Sequence, residues 1–160
     1  MSGDLKLELS GDWNRAGLWM QNLAVKLKPA FEAQMWSDGH FVLEKMKGHI
    51  DSQDLGWVPL SPHTVELKGG DTTILVETGA LKNGLVVRRV KSSASGSTYF
   101  IGASPWKTHE GGMSMSQLMI WLEMGTDKMP PRPLIQPTIE EVTDILKSHW
   151  VELMSELVRG

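Results

Sequence analysis

From Asp12 to Gly48 apolar residues recur at helical spacing: Trp19, Leu23, Leu27, Phe31 and Met35 lie four apart, with Ala16, Met20 and Ala24 beside them. The pattern predicts a long amphipathic helix that Pro29 kinks or divides, because proline lacks a backbone donor and crowds the preceding turn. The break is expected near Lys28, with a second helix from Phe31 to Met46 ending at Gly48. Asp12 is the expected N-cap of the first part. A second strong helical period lies at the far end, where Ile139, Val142, Leu146, Trp150, Leu153 and Leu157 fall three or four apart. Glu140, Glu141 and Asp144 are expected in its first turns, where the helix dipole favours negative charge.

Between these segments the period changes. Residues 49–72 read as loop holding one short helix, with Ser61 as cap, Pro62 at the first position and Gly69-Gly70 closing it. Ile74 to Glu77 is a β-branched run expected as a short strand, and Thr78 with Gly79 can cap a single turn through Leu81. Leu85 to Lys91 and Thr98 to Gly102 flank a serine-rich loop as an antiparallel hairpin. Ser116 to Met124 is an expected short helix stopped by Gly125, with Leu118, Met119, Trp121 and Leu122 on one broad face. Pro130 to Pro133 can be neither regular helix nor central strand, since three of its four residues lack a backbone donor. The order gives an α+β fold in one domain, residues 1–160. It comprises a long N-terminal helix or kinked helix pair (1–49), a small antiparallel sheet with its hairpin and loops (50–137), and a C-terminal amphipathic helix (138–158).

Composition narrows the chemistry. The 160 residues include no cysteine, which removes disulfides, thiolate nucleophiles and the common structural zinc sites, and leaves stability to packing or association. Basic and acidic side chains balance through residue 133, and the net charge of −3 arises in residues 134–160, with two basic and five acidic groups. Such a surface argues against strong sequence-independent DNA binding, which needs many Lys and Arg contacts to phosphate. No apolar run approaches the ~20 residues of a membrane span, and the first residues lack a signal-peptide layout. A protein folded in a cytoplasm, with no membrane partner, is therefore expected. Seven tryptophans and ten methionines exceed what one core requires. Either the core is unusually aromatic or some of them lie on association surfaces, where Trp and Met are enriched.

Few residues suggest catalysis. His109-Glu110-Gly-Gly-Met113 begins like a zinc-protease helix, but Met113 stands where the second histidine belongs and two glycines oppose a helix. Lys68-Gly-Gly70 lacks the spacing of a phosphate-cradling loop. Arg88, Arg89 and Lys91 form the densest basic cluster. Alternation turns Arg88 to one face of its strand and Arg89 with Lys91 to the other. One such face can line a channel for DNA or meet an acidic neighbour; the plainer reading is a solvated strand edge guarded by charge.

Two blocks carry a family resemblance. The first is Trp57-Val-Pro-Leu-Ser-Pro-His-Thr64, then Lys68-Gly69, then Leu75-Val-Glu-Thr-Gly-Ala-Leu81. Through Trp57, Pro59, Leu60, Thr64, Lys68, Thr78, Gly79 and Leu81 it resembles the W-x-P-L-S-x-x-T, K-G and L-x-x-T-G-x-L series of tailed-bacteriophage neck and tail-completion proteins, the virion morphogenesis family. The second is Trp121-Leu-Glu-Met-Gly-Thr126, then Met129-Pro-Pro-Arg-Pro-Leu134 and Pro137. Through Glu123, Gly125, Thr126, Pro131, Arg132 and Pro133 it is similar to the family's E-F-G-T, P-x-R-P-F and following proline. Met124 and Leu134 stand where the family has Phe, both keeping an adaptable apolar side chain. Leu5 to Gly48 matches no family motif.

The resemblance implies a ring subunit, commonly of a hexamer, at the head-to-tail joint of the virion, assembled in the host bacterial cytoplasm. Its expected partners are further copies of itself, the connector or head-closure proteins on one side, and the tail tube or terminator on the other. Genomic DNA would pass through the lumen without sequence-specific binding, and neither catalysis, metal nor cofactor is expected. A tail terminator or head-closure ring is the alternative within the class; a metal-dependent hydrolase using His109 and Glu110 is the alternative outside it. A ring needs two different complementary patches on each subunit, for which the Trp-rich N-terminal helix and the Pro130–Pro133 run are expected. Glu123 and Arg132, nine residues apart, are expected either to pair across the Gly-Thr turn or to leave Arg132 solvated against a neighbour.

Overall fold

Asp12 opens the first helix by accepting the Arg15 amide at 3.0 Å, and α1 then runs unbroken from Trp13 to Ser52. The computed structural model describes residues 11–159 except 77–78, 94–95 and 109–111. The expected break near Lys28 is absent, although Pro29 lies inside the helix. Pro29 is exposed, so the hydrogen bond it cannot make is lost on a side where water can satisfy the freed carbonyl. The turns beside it are held from outside: Lys28 Nζ donates to the Ser93 carbonyl at 3.0 Å, and Phe31 meets Trp150 edge-on at 5.3 Å. Nor does Gly48 end the helix; it closes at Gln53, in the left-handed conformation (φ 56°).

The Gln53 side chain also explains why Ile74 to Val76 is not a strand. Its Oε1 accepts the Ile74 amide at 2.8 Å and its Nε2 donates to the Ile74 carbonyl at 2.9 Å. With both ladder groups of Ile74 engaged and Leu75 at φ 65°, the segment bends instead of pairing. Glu77 and Thr78, the end of the expected strand and the first residue of the expected turn, lie outside the described residues, and the turn itself forms from Gly79 as the start of a short helix.

The remaining elements are α2 (Pro62–Leu67), α3 (Ala80–Gly84), β1 (Leu85–Ser93), β2 (Gly96–Ala103), α4 (Met115–Met124) and α5 (Ile135–Arg159). The fold is α+β: a long N-terminal helix, a two-stranded antiparallel hairpin and a C-terminal helix. Ser61 caps α2 with Pro62 in its first turn, and Ser114 caps α4, which Gly125 ends. α5 begins at Ile135, four residues before the first apolar position read from the sequence. Glu140, Glu141 and Asp144 therefore sit beyond its first turn, and the dipole argument does not explain them. Glu141 instead binds Lys45 at 2.6 Å, which holds its carboxyl below the usual carboxylate range.

The buried side chains form one cluster in which Val42, Met46 and Ile50 of α1 meet Val142 of α5, Met119 and Leu122 of α4, and Leu85 and Ala103 of the hairpin. α1 and α5 run antiparallel. His49 Nε2 lies 2.9 Å from Glu141 without hydrogen-bond geometry, and His149 Nδ1 lies 2.8 Å from the buried Asp38. A lone hairpin is marginal in water, and here one face leans on α1. Val87 pairs with Ile101 on that face, and both approach Gly39 so closely that a Cβ there would lie 2.8 Å from Val87 Cγ1. No helix among the described residues is long and apolar enough to cross a membrane.

Two glycines of α1 should therefore respond oppositely. Gly39→Val should destabilise the fold by ~1–3 kcal/mol through overpacking, whereas Gly48→Ala, with open space around it, should stabilise by up to about 1 kcal/mol. Urea midpoints at constant slope would check both.

Candidate functional site

The two motif blocks, 76 residues apart in the chain at Trp57 and Pro133, meet face to face. Trp57 is buried, and its indole Nε1 donates to the Pro133 carbonyl at 2.7 Å. In return, the buried Arg132 places Nε and Nη2 each 3.4 Å from the Val58 carbonyl. Its own amide donates to the Leu122 carbonyl at 2.6 Å, tying the proline run to α4. Pro130 to Pro133 has few backbone donors to offer a ladder, so carbonyls and this one amide hold it in place. Burial pushes the Arg132 pKa down from its ordinary value, yet a guanidinium stays protonated at neutral pH.

Glu123 does not pair with Arg132 among the described ion pairs. Its carboxylate accepts the amides of Leu134 at 2.8 Å, Ile135 at 3.0 Å and Gln136 at 2.9 Å, all at the start of α5. The next residue is Pro137, which has no amide to satisfy. One carboxylate thus fills the orphan donors of a helix from another helix, with negative charge at the positive end of the dipole. Arg132 is correspondingly neither ion-paired with Glu123 nor solvated.

Gly125 makes the turn between these helices possible. It holds φ 74°, and a Cβ there would lie 2.9 Å from the Pro131 nitrogen and 3.0 Å from the Met129 carbonyl oxygen. Thr126 and Met129 then exchange backbone hydrogen bonds of 2.8 and 3.1 Å, closing the loop. Gly79 likewise takes a left-handed conformation at the start of α3.

A cavity of about 290 Å³ opens beside the joined blocks, walled by Leu60, Thr64, Lys68, Leu81, Leu122 and Arg132 among others. Thr64 is held by Ser61, whose Oγ lies 2.8 Å from its hydroxyl. Lys68 donates to the Thr73 carbonyl at 2.6 Å and lies 3.4 Å from Asp71. Most of the polar groups on this wall are thus already engaged, and the rest of the lining is largely aliphatic. Pro59 and Pro131 are both exposed. Thr78 falls outside the described residues, as do His109 and Glu110. Among the described residues no group of three or more His, Asp or Glu side chains gathers to hold a metal.

The basic cluster is divided by the hairpin. Arg88 lies over the Trp106 ring, 4.2 Å from its centroid, and Arg89 lies 3.5 Å from Glu32. An irregularity at Val90 shifts the register, so Lys91 stands opposite Thr98 while Arg89 stands opposite Tyr99. Lys91 therefore shares the face of Arg88 and not that of Arg89, contrary to simple alternation. Of the seven tryptophans, Trp57 alone is buried; Trp13, Trp36 and Trp106 are about half exposed or more.

Sequence reasoning missed the Glu123 cap and the Gln53 clamp. A carboxylate shortly before a proline-flanked helix start was a signal for the first; nothing local marked the second. Comparison with family models, curated proteins and solved structures returned no match to this chain.

Glu123→Ala should cost ~0.5–2 kcal/mol, the range for a lost N-cap, and Trp57→Phe about 1 kcal/mol for one lost hydrogen bond. Equilibrium unfolding of each variant checks both values, and Glu66→Ala, exposed on α2, should stay within ~0.5 kcal/mol of the parent.

Proposed function

We propose that this chain is a structural subunit of a ring at the head-to-tail joint of a tailed bacteriophage, linking the connector to the tail and letting DNA pass. The observation that carries the reading is the meeting of its two family-like blocks in one unit, through Trp57 with Pro133 and Arg132 with Val58. Of the residues that resemble the neck proteins in sequence, Trp57, Glu123, Gly125, Arg132 and Pro133 thereby serve one common purpose, fixing α5 and the proline loop. That purpose is architectural, and no catalysis belongs to it.

A second feature fits assembly. Large apolar side chains remain on the surface of α1, α4 and α5, including Trp13, Leu18, Met20, Trp121, Met124 and Val151. Exposed patches of this kind mark contact surfaces. Arg88 and Arg89 are engaged by Trp106 and Glu32, which suits a conduit wall that does not grip the phosphates of a moving genome.

Electron microscopy of particles made without this protein tests the reading. Full heads and complete tails that fail to join are expected. Overlong tails would favour a tail terminator, leaking heads would favour head closure, and normal particles would overturn the assignment.

A further inference from the structure

Arg132 is a buried cation that no described carboxylate matches. It is 7% exposed, and burial alone acts on its pKa, with no acidic group opposing the shift. A guanidinium holds five N–H donors in a planar fork. Nε and Nη2 share the Val58 carbonyl at 3.4 Å each, longer than a charged donor prefers. The end of the fork, Nη1 with the outer hydrogen of Nη2, has no partner among the described residues. Nη1 is not sealed off, because the fully buried unpaired side-chain atoms are Asp38 Oδ2 and His49 Nε2. The open space that Arg132 borders is the cavity beside the joined blocks. Burying a cation without a counter-charge is costly, and a neutral side-chain amide would serve the Val58 carbonyl as well.

The rest of the wall narrows the kind of anion. Leu75, Leu81, Leu118 and Leu122 line the cavity, and so does Lys68, whose side chain is 12% exposed and shares its charge with Asp71 at 3.4 Å. No Asp or Glu is found among the described residues of the lining. Two cations on an aliphatic wall favour a ligand with an anionic end and a hydrocarbon body. A carboxylate matches the free end of the fork with two parallel N–H···O bonds. A bare phosphate would bring charge without the hydrocarbon that the leucines can cover. At about 290 Å³ the cavity is at the small end of ligand pockets, a size for one short chain and not for a partner's helix.

We propose that this cavity binds a carboxylate carried on a short hydrocarbon body, with Arg132 holding the carboxylate and the leucines covering the chain. A free medium-chain fatty acid and an apolar residue at a peptide C-terminus present this same chemistry. The site is independent of the neck role, and neither reading needs the other.

Isothermal titration calorimetry on the full chain tests it, with two carboxylates and their uncharged twins as probes: octanoate against octanol, and N-acetyl-leucine against N-acetyl-leucinamide. At least one carboxylate should bind about 10-fold or more tightly than its twin, because only the carboxylate gives Arg132 an anion. Whichever of the two carboxylates binds more tightly names the source, free acid or peptide terminus. Arg132→Met should reduce that carboxylate to the level of its twin. Leu118→Trp narrows the aliphatic wall and leaves Arg132 in place, and it should weaken both members of the pair. Should Arg132→Met fail to fold, the ratio within each pair on the parent and the loss in Leu118→Trp decide the matter. Twins that bind as tightly as the carboxylates, no binding of either carboxylate at millimolar concentration, or a folded variant that binds like the parent would overturn the site.

Discussion

The first turn of α5 carries backbone amides that no helical carbonyl can reach, and the placement of the whole C-terminal helix depends on where they go. They go to Glu123, at the end of α4, whose two oxygens take the amides of Leu134, Ile135 and Gln136. Pro137 removes the following donor. Because these bonds join α4 to α5, the loop between them must have one length and one shape. Gly125 supplies the turn, Pro130 to Pro133 stiffen the return, and Arg132 hands its amide to Leu122. Trp57 and Val58 then close on the far side, so a loop that leads into Pro62–Leu67 is bound to the same point. Val142 and Thr138, fully buried, reach the face of α1 only when α5 starts there.

This arrangement separates the molecule into a held part and an unheld part. Around the joined blocks, buried polar groups are largely satisfied and aliphatic side chains fill the centre. Away from it, six of the seven tryptophans are not buried. A monomer gains little from so much exposed aromatic surface, whereas an assembly gains contact area that needs few ordered rotamers. Under the ring role proposed above, that surface is where neighbours would be held.

Much of the fold was legible in the chain because its causes are local. The period in Trp19 to Met35, the Ser61-Pro62 start and the hairpin around the serine loop all depend on neighbours within a few residues. What failed depended on distant partners. Pro29 was expected to break α1, but its solvent-facing position and the outside contacts of Lys28 and Phe31 keep the helix whole. Ile74 was expected in a strand, but Gln53, 21 residues earlier, takes its backbone groups. Glu123 and Arg132 were expected either to pair or to leave Arg132 solvated, and each instead found backbone beyond the reach of a spacing argument. The one-residue register shift at Val90 moved Lys91 to the opposite face, which strict alternation has no means to foresee. The family-like residues were legible as a group, while their physical duty was not.

Native-state hydrogen exchange tests most directly whether those residues act as one structural unit. The amides of Leu134, Ile135 and Gln136 and the indole N–H of Trp57 should exchange only through global unfolding, with the same free energy of opening as the core amide of Val142. Exchange of the α5 start or the Trp57 indole through local opening well below that free energy would contradict the account, since the two blocks would then be neighbours without being joined.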